Sequence, residues 1–262
     1  MFELKTYYAA PTLDEADDCL HRDKKNVILG GLLWMRMGSR QYHTGIDLSG
    51  LGLDRIEDKG SCVDIGAMTC LRQIETSTLL ADHFGPVLRD AVASIVGVQF
   101  RNLATVGGSV FSRFSFSDLI TALMVLDTRV YLHRAGAVPL ADFLETSPGR
   151  DILVKLSIPK RAMKTSYQSV RKTATDFPVL AGAFARTGDG WRIALGARPS
   201  RARLAPDAAG LLTEAPGQEE IDAACATLIR ELSFGTNQRG GKAYREHLAK
   251  ILVKRGIRAI CN

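Results

Sequence analysis

Val98-Gln-Phe-Arg-Asn-Leu-Ala-Thr-Val-Gly-Gly-Ser-Val110 is the stretch on which the reading of this chain turns. Ala104-Thr105-Val106 reads as the end of a strand, and Gly107 and Gly108 follow it without a Cβ. Consecutive amides there can turn inward as a concave nest of N–H donors that holds an anion without a lysine. A second pair, Gly30-Gly31, closes the apolar run Val27-Ile28-Leu29 and supplies the other half of such a cradle. A single Gly-Gly is usually only a turn. A phosphate site therefore needs both pairs and further motifs in support.

With 262 residues and 46% hydrophobic content, the chain can bury a core as one large domain or two modest ones. The N-terminus Met1-Phe2-Glu3-Leu4 shows no secretory pattern and no segment approaches a membrane-spanning length, so the expectation is a soluble, cytoplasmic protein with no membrane partner. Five cysteines (Cys19, Cys62, Cys70, Cys225, Cys261) lack C-x-x-C spacing, and five scattered histidines lack helical pairing. No metal site is expected, neither zinc nor iron–sulfur. Residues 1–150 carry 15 basic and 18 acidic side chains, residues 151–262 carry 19 and 10. Without a basic stripe interleaved with aromatics, this excess predicts a solvated face or one that docks an acidic protein, and no nucleic acid. From Arg239 onward seven residues are Lys or Arg against one acid, Glu246, so the last helix is expected to carry a positive field.

Along the chain, a strand near Phe2–Tyr8 leads to Thr12-Leu-Asp-Glu15, a capping box opening a helix to about His21. A strand over 26–29, a short apolar helix or turn over 32–37 and strands near 44–48, 55–58 and 61–65 follow. Apolar spacing at Val87, Leu88, Ala91, Val92 and Ile95 predicts a helix. Another begins at Asp118, whose carboxylate suits a helix N-terminus. A strand over 129–133 and a short helix over 140–144 lead to Pro148-Gly149, a boundary. Beyond it, strands near 152–158, 167–171, 179–186 and 191–195 precede helices over 218–232 and 242–254, an α+β pattern.

These residues resemble the flavoprotein subunit of the molybdenum hydroxylases, the group that includes xanthine dehydrogenase and carbon monoxide dehydrogenase. Val27-Ile-Leu-Gly-Gly31 is similar to the family's first flavin loop and Phe100-Arg-Asn-Leu-Ala-Thr-Val-Gly-Gly108 to its second. Ser117-Asp118 with Ala122-Leu-Met-Val-Leu-Asp127 is similar to the following segment. Tyr167 to Val179 and Asn237-Gln-Arg-Gly-Gly-Lys-Ala-Tyr-Arg245 resemble the C-terminal signatures. Order and spacing agree over nearly the whole chain.

The resemblance implies an α+β fold: a two-part FAD-binding domain of the vanillyl-alcohol-oxidase/CO-dehydrogenase-flavoprotein type over 1–150 (parts roughly 1–52 and 53–150), then an α+β domain over 151–262. It implies FAD clamped between them. Val27, Ile28, Leu29, Gly30, Gly31, Leu32, Leu33 and Trp34 form the first loop; Ala104, Thr105, Val106, Gly107 and Gly108 form the second, with a hydroxyl from Thr105. Asp118 accepts from a cofactor hydroxyl, Leu153 lies by the ring system, and Ile95 and Gln168 add contacts. Gln168 stands where some relatives have lysine, Leu32-Leu33 replaces a polar pair, and Arg113-Phe-Ser-Phe116 replaces a small, proline-containing segment.

No catalytic acid, base or nucleophile is expected, because the redox chemistry belongs to the cofactor. The implied role is to take electrons from an iron–sulfur subunit, itself served by a molybdopterin-binding subunit, and pass them to NAD in a xanthine dehydrogenase-like complex. The alternatives are a stand-alone FAD-dependent oxidoreductase of the wider superfamily and a flavin-less assembly module.

Overall fold

The computed structural model describes residues 1–146 and 149–262, so Pro148 of the expected Pro148-Gly149 boundary lies outside the described residues. The chain divides into two compact units. The first contains residues 1–73, 98–112 and 129–158; the second contains 74–97, 113–128 and 159–262.

The first unit is built on two sheets. Strands β1 (Glu3–Ala9), β2 (Val27–Leu29) and β3 (Gln41–Asp47) form a parallel sheet in the order β1-β3-β2. Parallel strands need crossover connections, and the helix Leu13–Arg22 carries the chain from β1 across to β2, on the far side of β3. Thr12 caps it by accepting from the Glu15 amide at 3.1 Å. Asp14 and Glu15 occupy its first turn and His21 and Arg22 its last, matching the helix dipole at both ends. Ala16, Cys19 and Leu20 of this helix are buried with Ile46, Leu48 and Ile152.

The second sheet has the order β4-β5-β8-β6-β7, from β4 (Ile56–Asp58), β5 (Cys62–Gly66), β6 (Arg129–Leu132), β7 (Gly136–Pro139) and β8 (Leu153–Pro159). Its central strand β8, grouped with the C-terminal part on sequence, pairs with β6 through Leu156 opposite Val130, both fully buried.

The stretch 98–110 departs from its expected form. It folds as two short helices, Val98–Leu103 and Val106–Phe111, with Thr105 making an isolated bridge to Cys70 between them. Thr105 is the N-cap of the second helix, its hydroxyl accepting from Gly108 N at 3.1 Å, so the Ala-Thr-Val segment begins a helix instead of ending a strand.

The second unit carries an antiparallel sheet, β12-β11-β10-β9, from β9 (Met163–Val170), β10 (Leu180–Thr187), β11 (Gly190–Gly196) and β12 (Arg203–Leu204). Its two faces differ in side-chain size. Leu180, Phe184, Ile193 and Leu195 face the helices Gln218–Glu231 and Lys242–Cys261. The latter helix runs seven residues past its expected end, through Gly256, where a Cβ would stand 2.2 Å from the Phe184 ring. Ala181, Ala183, Ala194 and Gly196 alternate onto the other face. A Cβ on Gly196 would meet Thr121 Oγ1 of the helix Asp118–Met124 at 2.0 Å, so this small face lets that helix approach closely.

Candidate cofactor-binding site

In the first unit β2 ends at a loop that cannot carry ordinary side chains. A Cβ on Gly31 would lie 1.8 Å from the Leu103 carbonyl oxygen, and one on Gly30 would lie 2.9 Å from Thr105 Oγ1. The two glycine pairs are therefore neighbours in space, Gly30 standing against Thr105 and Gly108. Leu32 then takes a left-handed conformation (φ 62°) before the helix Leu33–Arg36. Among the described residues, nothing accepts a hydrogen bond from the amides of Gly30, Gly31, Leu32 or Leu33. Consecutive unpartnered donors at a loop-to-helix junction suit an anion.

The Gly107-Gly108 pair does not form the open nest expected from sequence. Val106 N donates to Thr69 O at 2.8 Å, Gly107 N to Ala67 O at 2.7 Å, and Gly108 N to Thr105 Oγ1. All three donors are used within the protein. What the glycines allow is close packing: a Cβ on Gly107 would fall 2.8 Å from the Ala67 carbonyl oxygen. The Thr105 hydroxyl accepts from Gly108 and keeps its own proton to give.

A cavity of about 340 Å³ opens beside these loops. Of the residues expected on sequence, Val27, Ile28, Leu29, Gly30, Thr105, Gly107, Gly108 and Leu153 line it. Gly31, Leu32, Leu33, Trp34, Ala104 and Val106 are not among its walls; Ala104 and Val106 are core residues and Trp34 is exposed. Phe111, Met68, Leu48 and Leu20 extend the apolar lining, and Arg150 and Asp151 add polar groups that sequence reasoning missed. The fit to FAD rests on three features of this unit: an unpartnered amide run, a glycine contact that a Cβ would fill, and an adjoining apolar cavity.

Asp118, Ile95 and Gln168 belong to the second unit. Asp118 is 4% exposed and accepts from the Tyr167 hydroxyl and, at 2.5 Å, from Arg171 Nη2. Burial pushes its carboxyl upward, against the Arg171 guanidinium and the two hydrogen bonds, which favour the charged form. Burial, then the Asp118 charge, raises the Tyr167 phenol well above its ordinary value. Ile95 lies in the turn after the helix Val87–Ala93. Gln168 alternates with Tyr167 along β9; Ser166 and Val170 on its side of the strand meet the C-terminal helices, so Gln168 is turned away from Asp118. The signal that identifies Tyr167 and Arg171 is physical: a buried carboxylate requires a charged partner.

The last helix carries less free positive charge than its composition predicts. Arg245 is fully buried, donating to Val179 O, Gly235 O, Gly240 O and Asn237 Oδ1, and takes no part in a solvated face. Lys254 pairs with Asp222 at 2.5 Å and Lys242 with Glu246 at 3.8 Å. Among the described residues no cluster of His, Cys, Asp or Glu has the arrangement to hold a metal ion, and no helix is long and apolar enough to cross a membrane.

Residues 1–161 match the family of the FAD binding domain in molybdopterin dehydrogenase, and residues 165–260 that of the CO dehydrogenase flavoprotein C-terminal domain. The chain belongs to this flavoprotein family. It is 25% identical over 284 residues to the xanthine dehydrogenase FAD-binding subunit of Escherichia coli O157:H7, covering 98% of this chain and 96% of that protein. Two solved structures share the fold of this flavoprotein. Reconstituted CO dehydrogenase from Oligotropha carboxidovorans matches with a TM-score of 0.89 at 22% identity, over 98% of this chain and 97% of that one. Quinoline 2-oxidoreductase from Pseudomonas putida 86 matches with 0.87 at 23% identity, over 98% and 96%. The two-domain α+β flavoprotein fold expected from sequence is thereby shown.

Proposed function

We propose that this chain is the FAD-binding, electron-transferring subunit of a cytoplasmic, xanthine dehydrogenase-like molybdenum hydroxylase. It would take electrons from an iron–sulfur subunit, itself reduced by a molybdopterin-binding subunit, and deliver them to NAD. The observation that carries the reading is the run of four amides, Gly30 to Leu33, that find no acceptor among the described residues, beside an apolar cavity in a chain of this family. Full-length similarity to a xanthine dehydrogenase FAD-binding subunit supports the choice of complex and acceptor.

In this reading the Gly30, Gly31, Leu32 and Leu33 amides hold the cofactor's diphosphate, and the Thr105 hydroxyl donates a hydrogen bond to it. Val27, Ile28, Leu29 and Leu153 exclude water from the cavity, which strengthens each polar contact at its edge. Gly107 and Gly108 act through packing, by bringing Thr105 within reach of Gly30. FAD, when bound, supplies the exchange between one-electron and two-electron transfer. Leu32-Leu33 contributes backbone donors only, where a polar pair would add side-chain bonds.

Purification of the tagged chain from its own cell tests the reading. Bound flavin in the visible spectrum, co-purifying molybdopterin and iron–sulfur subunits, and NAD reduction by the assembled complex are the expected results. A lone flavoprotein with its own oxidisable substrate would favour the stand-alone oxidoreductase. A chain that stays colourless after incubation with FAD would favour the assembly module, for which Leu32-Leu33 is the supporting feature.

A further inference from the structure

Arg150 follows directly on the segment that sequence reads as a domain boundary, yet its guanidinium is the most heavily bonded group along the cavity. Nη2 donates to Leu20 O at 2.5 Å, Asn26 O at 2.9 Å and Asp23 O at 3.0 Å, and Nη1 donates to Lys24 O at 2.8 Å. These carbonyls belong to the C-terminal end of the helix Leu13–Arg22 and the connection that delivers the chain into β2. A cation there satisfies carbonyls that a helix end leaves open and favours the negative end of its dipole.

The two residues after Arg150 are held from elsewhere. Asp151 accepts from the amides of Arg134 and Ala135 at 3.0 Å each, and His133 N donates to Ile152 O at 2.8 Å, so residues 151–152 are tied to the β6–β7 turn. Arg150 thus spans the two sheets of the first unit. Leu20, Asn26 and Val27 on one side and Gly149 through Leu153 on the other all line the same cavity. A fork with four backbone acceptors fixes the separation of those walls more tightly than a single ion pair can, because a planar guanidinium is pre-organised for several directed bonds. A second tie, Arg134 to Asp17 at 2.6 Å, also joins the helix Leu13–Arg22 to the β6–β7 turn, and neither of its residues lines the cavity.

We propose that Arg150 is a positioning residue for the cofactor: by clamping residues 20–26 against 149–153 it sets the width of the cavity and holds β2, with the amide run that follows it, in its binding register. The proposal rests on the FAD reading above and adds a residue to it that touches the protein instead of the diphosphate donors. Its removal loosens a wall without removing any amide of the binding loop.

The test compares Arg150→Gln with Arg134→Gln, which breaks the tie away from the cavity. Both chains are loaded with FAD, and the flavin dissociation rate, its visible circular dichroism and the melting temperature of the flavin-free chain are measured. Arg150→Gln is expected to release FAD about ten-fold faster or more and to alter the dichroism. Arg134→Gln is expected to lower the melting temperature at least as much while releasing FAD at nearly the wild-type rate. Arg150→Lys should recover only a small part, since one ammonium cannot reach four carbonyls. Wild-type release from Arg150→Gln, or equally fast release from Arg134→Gln, would overturn the positioning role. A wild-type chain that binds no FAD would overturn the FAD reading itself, and this inference with it.

Discussion

Two glycine pairs that look alike in the sequence do different work in the fold. Gly30-Gly31 leaves its amides, and those of the two leucines after it, without acceptors among the described residues. Gly107-Gly108 donates every amide to the protein and is glycine because Gly107 packs directly on Ala67 and Gly108 on the Thr105 hydroxyl. A dipeptide signature therefore specifies close approach of backbone to something. Whether that something is a ligand or another piece of chain depends on hydrogen bonds formed far along the sequence.

The largest effect expected from this contrast is at Gly31. A methyl group there overlaps the Leu103 carbonyl, which is backbone and cannot rotate away, so Gly31→Ala should cost about 3 kcal/mol in denaturant unfolding of the flavin-free chain. Gly107→Ala should cost less, about 2 kcal/mol, because its contact with Ala67 is longer. Molecules of that variant that do fold should bind FAD close to normally. Loss of FAD from Gly107→Ala at unchanged stability would break the comparison, by showing that the second pair faces the ligand after all.

Gly30→Ala sharpens the same contrast from the other side. Its Cβ would press on the Thr105 side chain, which can turn, so stability should fall by only about 1 kcal/mol as the Thr105 cap is disturbed. FAD affinity, read by titrating the flavin-free chain, should fall about ten-fold. Thr105→Val isolates the cap: about 1 kcal/mol of stability and a smaller loss of affinity, since one hydroxyl of a large contact set is removed.

Much of this architecture was legible from local pattern. The Thr12-Leu-Asp-Glu15 pattern and the spacing from Val87 to Val92 each express a rule that acts within a few residues, and each marks its element to within a few positions. The helical course of 98–110 was hidden because Ala-Thr-Val has strand character, and the cap that decides it is only a threonine three residues before Gly108. The Arg150 fork and the Asp118–Arg171–Tyr167 cluster were hidden for a different reason. Each joins residues 49 to 130 positions apart, and no periodicity connects a cation to carbonyls or a carboxylate at such separation.

The smallest expected effect concerns Leu32, where the two functions of the first loop meet. Its left-handed backbone exposes the amide run, but a leucine in that region is strained, whereas asparagine adopts it readily. Leu32→Asn should therefore stabilise the flavin-free chain by about 0.5 kcal/mol, less whatever the half-buried leucine side chain contributes through packing. The same substitution places an amide group where the family's polar pair would stand, so FAD should bind a few-fold more tightly, with both changes read from one melting series at rising FAD concentration. If stability rises and affinity does not, backbone donors alone account for the loop's hold on the diphosphate. If both fall, Leu32 is a packing residue and the strain at this position is offset by contacts that the open loop requires.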